Sequence, residues 1–174
     1  MNKSVVLTAL FFAVTGLFFA TPQAKAQDLA EGFWLSVDEK TNKTTAGWHI
    51  YQEGGKLLGK VLSMADYPRT VLASKCKESY PGFPVAGKVN QMPVVGTPWI
   101  FGLTLNKPGE WVNGYVVNPE DGGLYKCKII FHKADGKKFH SDVLEMRGEI
   151  GFGLGRSQFW KKTDQVTASS LGAR

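Results

Sequence analysis

From residue 32 onward, short runs rich in Val, Ile, Thr and aromatic residues alternate with turns built from Gly, Asn and Asp, a rhythm that admits little besides an antiparallel β-fold. The runs fall at residues 32–37, 45–52, 57–64, 98–105, 110–117, 124–132, 139–147 and 155–161. About eight strands with almost no helical periodicity predict a single all-β domain closed into an antiparallel barrel, because closure removes exposed edges. Four hairpin turns are spelled by Glu53-Gly54-Gly55, Asn106-Lys107-Pro108-Gly109, the stretch from Asn118 to Gly123, and Ala134-Asp135-Gly136. Residues 65–92, with Pro81-Gly82-Phe83-Pro84, break the rhythm. A connection this long reads as a lid or packed loop near the barrel mouth, with a short helix near residues 67–74 as an alternative.

The first 26 residues have the parts of a secretory signal: Lys3 as the basic head, an apolar stretch over residues 5–20, and the small-x-small site Ala24-Lys25-Ala26. The apolar stretch is shorter than the roughly 20 residues a spanning helix needs. The expected mature chain therefore starts near Gln27, with a barrel domain over residues 27–164, a flexible tail over 165–174 and no membrane span. No cysteine follows the cleavage site to accept a lipid anchor, so a soluble product, periplasmic or extracellular, is expected. An outer-membrane barrel fits less well, because the strands are short and lysines interrupt their outward faces.

The whole sequence has a formal net charge of +6, and Lys3 and Lys25 belong to the signal-like segment. The remaining lysines are spread singly and no recognition helix is apparent, which argues against nucleic-acid binding. Cys76 and Cys127 are the two cysteines. In an oxidising compartment a bridge between them would close a loop of about 50 residues, stabilising by about 4 kcal/mol in the chain-entropy account. The other reading is a small buried Cys127 and a free Cys76 thiol.

Alternation assigns the strand faces. Tyr125, Cys127, Ile129 and Phe131 share one face while Lys126 and Lys128 take the other; Leu58, Leu62 and Met64 share a face, as do Trp48 with Ile50 and Trp99 with Phe101. An eight-stranded barrel is either just filled by its side chains or holds one small ligand. If it holds one, the expected lining is Trp48, Ile50, Leu58, Trp99, Phe101, Tyr115, Tyr125 and Phe131.

Two blocks of the second half carry a family resemblance. The stretch from Trp111 to Cys127 supplies Trp111, Gly114, Pro119, Gly122 and Tyr125. The stretch from Arg147 to Trp160 supplies Arg147, Gly148, Gly151, Gly155, Arg156, Gln158 and Trp160, and Gly32 with Trp34 matches at the opening. This pattern resembles the bacterial domain-of-unknown-function family 2147, and the resemblance implies a lipocalin-like β-barrel. It departs at Asn113, where a second glycine is usual, and at Asn118, where an aspartate is usual. Gly32-Phe33-Trp34 with a late arginine also resembles the closure of lipocalin-like barrels. There Arg147 or Arg156 would cover the Trp34 ring, a contact of about 0.5–2 kcal/mol, and join the first and last strands.

Catalytic chemistry finds little support. His49, His132 and His140 have no metal-binding spacing, and Ser157 lacks the glycine two residues on that a nucleophile elbow requires. The glycines of the 148–155 stretch miss the phosphate-loop spacings and no helix follows them, so they read as permitting a tight bend. No catalytic residue, cofactor or metal is expected. The leading expectation is a barrel that binds a small apolar or amphipathic molecule; the alternative is a filled barrel serving as an envelope protein-interaction module. Oligomeric state is not legible.

Overall fold

The computed structural model describes residues 27–151 and 154–172; the signal-like segment lies outside them. Eight strands follow one another: β1 (Gly32–Val37), β2 (Thr44–Glu53), β3 (Lys56–Met64), β4 (Pro98–Lys107), β5 (Glu110–Asn118), β6 (Gly123–His132), β7 (Val143–Gly151) and β8 (Leu154–Thr163). Each pairs antiparallel with the next, and β8 returns to β1, closing the barrel in simple up-and-down order.

Two apolar clusters, one within the barrel and one largely outside it, meet at Trp48, which packs against both. The inner one joins Trp34, Ile50, Leu57, Ile100, Leu103, Trp111, Cys127, Ile129, Leu144 and Trp160, with Trp48, Tyr125, Phe131 and Met146 packed against it. Cross-strand partners share a face, and the register runs Trp34 to Trp48, Ile50 to Gly59, Trp111 to Ile129, Phe131 to Leu144 and Leu144 to Trp160. The alternation expected for β6 therefore holds.

The outer cluster exists because the long connection after β3 folds back on the wall. Val71, Ala73, Cys76, Tyr80, Phe83, Val89 and Val94 pack on Trp99, Phe101 and Val117. The segment is held by backbone bonds from Ala73 N–H to Met92 C=O and from Val94 N–H to Val71 C=O, both 2.9 Å. The Trp99 indole donates to the Val94 carbonyl at 2.8 Å, and Tyr80 Oη donates to the Gly122 carbonyl at 2.7 Å. Gly122 has φ +73°, and a Cβ there would sit 2.2 Å from the Lys75 carbonyl oxygen, so only glycine fits under the loop. Of the two readings for this segment, the packed loop holds. Its one helical turn is the 3-10 piece Val89–Gln91, away from residues 67–74.

Two further expectations are corrected. Strand β7 begins at Val143 rather than at 139, because Asp135 Oδ1 accepts the amides of Lys137 and Phe139 and holds the chain in a turn. Phe139 instead packs with His132 and Phe159 on the outer wall. The tail expected to be flexible contains a short helix, α1 (Gln165–Ser169), capped by Asp164 Oδ1 accepting the Thr167 amide. Fully buried Ala168 docks on Gly47, where a Cβ would lie 1.9 Å from its carbonyl oxygen. Ser63 Oγ donates to that same carbonyl at 2.6 Å.

Candidate functional site

The two ends of the barrel differ. At the end where β1 starts, the N-terminal turn forms a plug. Ala30 is fully buried within the inner cluster, and its carbonyl accepts the Trp34 indole N–H at 3.0 Å. Asp28 accepts the Trp111 indole N–H at 2.9 Å, the Gly109 amide at 3.0 Å and the Ala30 amide at 2.9 Å. Side chains beneath this plug, Trp34, Ile50, Leu57, Trp111 and Leu144, are buried to 0–1% exposure. Toward the opposite end, inward-facing Trp48, Tyr125, Met146 and Gln158 are only partly buried. The rim there carries exposed Ile150 and Leu154, and Tyr125 Oη donates to Asp121 Oδ2 at 3.1 Å. Trp48 stacks on Trp160 at 4.8 Å between ring centres. The Trp48 indole donates to Ser36 Oγ at 3.1 Å and the Trp160 indole to Gln158 Oε1 at 3.1 Å.

Of the eight lining residues expected from sequence, Trp48, Ile50, Tyr125 and Phe131 face the interior. Leu58, Trp99, Phe101 and Tyr115 do not. Trp99 and Phe101 lie in the outer cluster, and Tyr115 pairs with Phe101 and so shares its outward face. Leu58 faces outward with Tyr51, while its neighbour Leu57 points inward. The physical reason is that Leu57 with Leu58, and the run Trp99-Ile100-Phe101, are buried on both faces, so alternation has no polar partner to betray it.

Closure also uses a different cation. Lys162, opposite Trp34 in the β1 to β8 pairing, places Nζ 5.8 Å from the Trp34 ring centre and 5.9 Å from that of Phe131. Arg147 instead bonds Glu149 Oε1 at 2.8 Å, and Arg156 bonds Glu39 Oε2 at 2.9 Å, joining β8 to the β1–β2 turn. Gly32, at φ +130°, and Trp34 keep their expected place at the barrel's start, and Trp160 packs inside.

The expected disulfide is absent: Cys76 and Cys127 are both free and buried. Cys127 belongs to the inner cluster and Cys76 to the outer one, so the sheet separates them. Burial pushes both thiols above the usual cysteine range.

On the outer wall Ser157 Oγ donates to Glu145 Oε1 at 2.6 Å, while Glu145 Oε2 lies 2.8 Å from His132 Nε2. The carboxylate thus stands between serine and histidine, whereas activation of a serine needs the imidazole in that middle place. Burial opposes ionisation of Glu145, but the bonds from Ser157 and His132 prevail and hold its carboxyl below the usual range. Among the described residues, no group of three or more His, Cys, Asp or Glu is arranged to hold a metal ion.

The profile of a bacterial family, "Uncharacterized protein conserved in bacteria (DUF2147)", matches residues 32–162, which is the barrel itself. The chain belongs to this family. The DUF2147 barrel also matches a solved structure, protein HP1028 from Helicobacter pylori, described as belonging to the lipocalin family. The TM-score is 0.60 at 14% identity, over 79% of this chain and 85% of that one. At that identity the likeness establishes the lipocalin-like fold. Among curated proteins the sequence has no match.

Within the DUF2147 barrel, the residues that carried the resemblance are chiefly architectural. Trp111 anchors the plug, and a Cβ on Gly114 would lie 2.3 Å from the Leu103 side chain. Asn113 has φ +61°, so the usual glycine is replaced by a residue that tolerates the left-handed region. Asn118 keeps its turn role as an amide: Nδ2 donates to Asp121 Oδ2 at 2.9 Å and Oδ1 accepts the Glu120 amide at 3.1 Å. Sequence reasoning missed Asp28, Ala30 and Lys162. An acid next to the first strand and a lysine two residues beyond Trp160 carry no local signal of a plug or a ring contact.

Proposed function

We propose that the DUF2147 barrel binds a small apolar or amphipathic molecule through its open end and does so as an exported, non-catalytic protein. The supporting observation is the difference between the ends. One is sealed over fully buried tryptophans, and the other leaves inward-facing Trp48, Tyr125 and Met146 partly accessible. Transfer of apolar ligand surface onto these side chains would supply the affinity, at about 25 cal/mol per Å² before association costs. Tyr125 Oη and the Gln158 amide are the polar groups able to orient a ligand. The serine and histidine order on the outer wall supports a binding rather than a hydrolytic role. Export rests on the sequence of residues 1–26.

Native mass spectrometry of protein isolated from an exporting host tests this reading. A reproducible added mass that disappears on denaturation is the expected result. Trp48→Ala should lower occupancy while the melting transition stays cooperative. Absence of any added mass, together with no binding of fatty acids or other amphiphiles offered in vitro, would remove the proposal.

A further inference from the structure

A concave groove lies on the outer wall, separate from the barrel interior. The β5 to β6 register shifts between Trp111 and Gly114, so Val112 and Asn113 together oppose Lys128. This bulge re-aims the strand, and beside it lies a half-open groove of about 430 Å³ lined chiefly by Asn113, Tyr115, Lys126, Lys128 and Glu149.

The lining combines four chemistries across three strands. Tyr115 is 39% exposed, and its ring centre is 6.0 Å from that of Phe101, which Phe83 backs at 5.3 Å. The ring therefore presents an accessible apolar surface on a rigid support. Lys126 stands opposite Tyr115 on one side and Glu149 on the other. Lys126 and Lys128 lie two positions apart on one face of β6, about 7 Å along the strand. Glu149 is neutralised by Arg147 at 2.8 Å, whereas neither lysine forms an ion pair among the described residues. The lining itself therefore carries two lysines against one carboxylate, with Glu110 and Glu145 also near Lys128. Asn113 is exposed and offers both an amide donor and an acceptor.

We propose that this groove binds an acidic saccharide, with its carboxylate or phosphate between Lys126 and Lys128 and a sugar ring against Tyr115. An aromatic surface suits the C–H face of a sugar ring, and the lysines suit its anion. Asn113 and the Glu149 oxygen not engaged by Arg147 suit hydroxyls. Glu149 also disfavours a bare inorganic anion, which gains nothing from a neighbouring acceptor and is repelled by its charge. The interior site neither requires nor supplies this groove, so the two proposals fail independently.

The test is a titration of the ¹⁵N-labelled protein, followed by amide NMR, with trigalacturonate, neutral maltotriose and sulfate as probes. Trigalacturonate should give saturable shifts centred on Asn113, Tyr115, Lys126 and Lys128, with affinity about tenfold above maltotriose. Lys126→Gln with Lys128→Gln should abolish that preference, and Tyr115→Ala should weaken trigalacturonate about fivefold without affecting sulfate. All three positions are on the surface, so the unperturbed remainder of the spectrum reports intact folding. Failure of trigalacturonate to shift these amides at millimolar concentration would overturn the proposal. So would sulfate binding as tightly as the saccharide with no dependence on Tyr115.

Discussion

The Asp28 carboxylate accepts the Trp111 indole N–H at 2.9 Å, although the two residues stand 83 positions apart. The same carboxylate takes the amides of Ala30 and Gly109, so one side chain ties the N-terminal turn to the β4–β5 hairpin. Asp28→Ala leaves three donors unpaired at the sealed end. It should cost about 2 kcal/mol in urea unfolding, and Trp111 emission should shift red as water reaches the ring. A change within 0.5 kcal/mol would show that the plug does not depend on Asp28.

Gly47 and Ala168 are in direct contact, which makes glycine obligatory at 47. Gly47→Ala should undock α1, at a cost of about 1–3 kcal/mol. Amide exchange should rise over residues 165–171 while the barrel stays closed. Slow exchange retained in α1 would mean that β2 can shift to admit the methyl group.

Glu145 ionises more readily in the folded protein than its ordinary value of 4.5. A carboxyl depressed by folding contributes stability above its unfolded pKa and loses it as pH falls through the folded one. Glu145→Gln should therefore cost more at pH 7 than at pH 3. Chemical denaturation at both values checks this, and an equal cost at the two would mean that the carboxylate charge contributes nothing.

The ring contact at closure predicts a difference between two cations. Lys162→Ala should cost about 0.5–1 kcal/mol through loss of the cation over Trp34 and Phe131. Lys162→Arg should restore it. Replacing exposed Arg156, whose partner is Glu39 on a turn, should cost less than Lys162→Ala. The reverse order of melting temperatures would return the closing role to the arginine.

Separation of the cysteines by the sheet predicts two free thiols. Non-reducing denaturation followed by thiol labelling should count two per chain, and in the native state Cys127 should label slowest because it is buried inside. A mass lower by about 2 Da than the reduced form would restore the bridge.

Strand number, order of hairpins and barrel closure were legible because turn residues and β-branched runs mark them locally. On β6, lysines at 126 and 128 alternate with Cys127, Ile129 and Phe131, so its inward face could be read directly. The face of β4 could not, since Trp99, Ile100 and Phe101 are all buried once the 65–97 loop covers the outer wall. The flexible-tail reading failed for a related reason: polar residues after Trp160 concealed one alanine, Ala168, whose burial depends on a glycine 121 positions earlier. The plug and the lysine contact arise from tertiary approach alone and leave no periodic trace.

The loop packed over β4 and β5 makes the barrel mechanically lopsided. On that side the sheet is clad by Tyr80, Phe83 and Val89, so bending it means separating two layers. On the β7 and β8 side a single sheet meets solvent, with Gly148 and Gly155 near the rim. Any widening that admits a guest should therefore be borne by β7 and β8, with the clad side acting as the fixed jaw. Amide exchange should report this as a gradient around the circumference, fastest in β7 and β8 and slowest in β4.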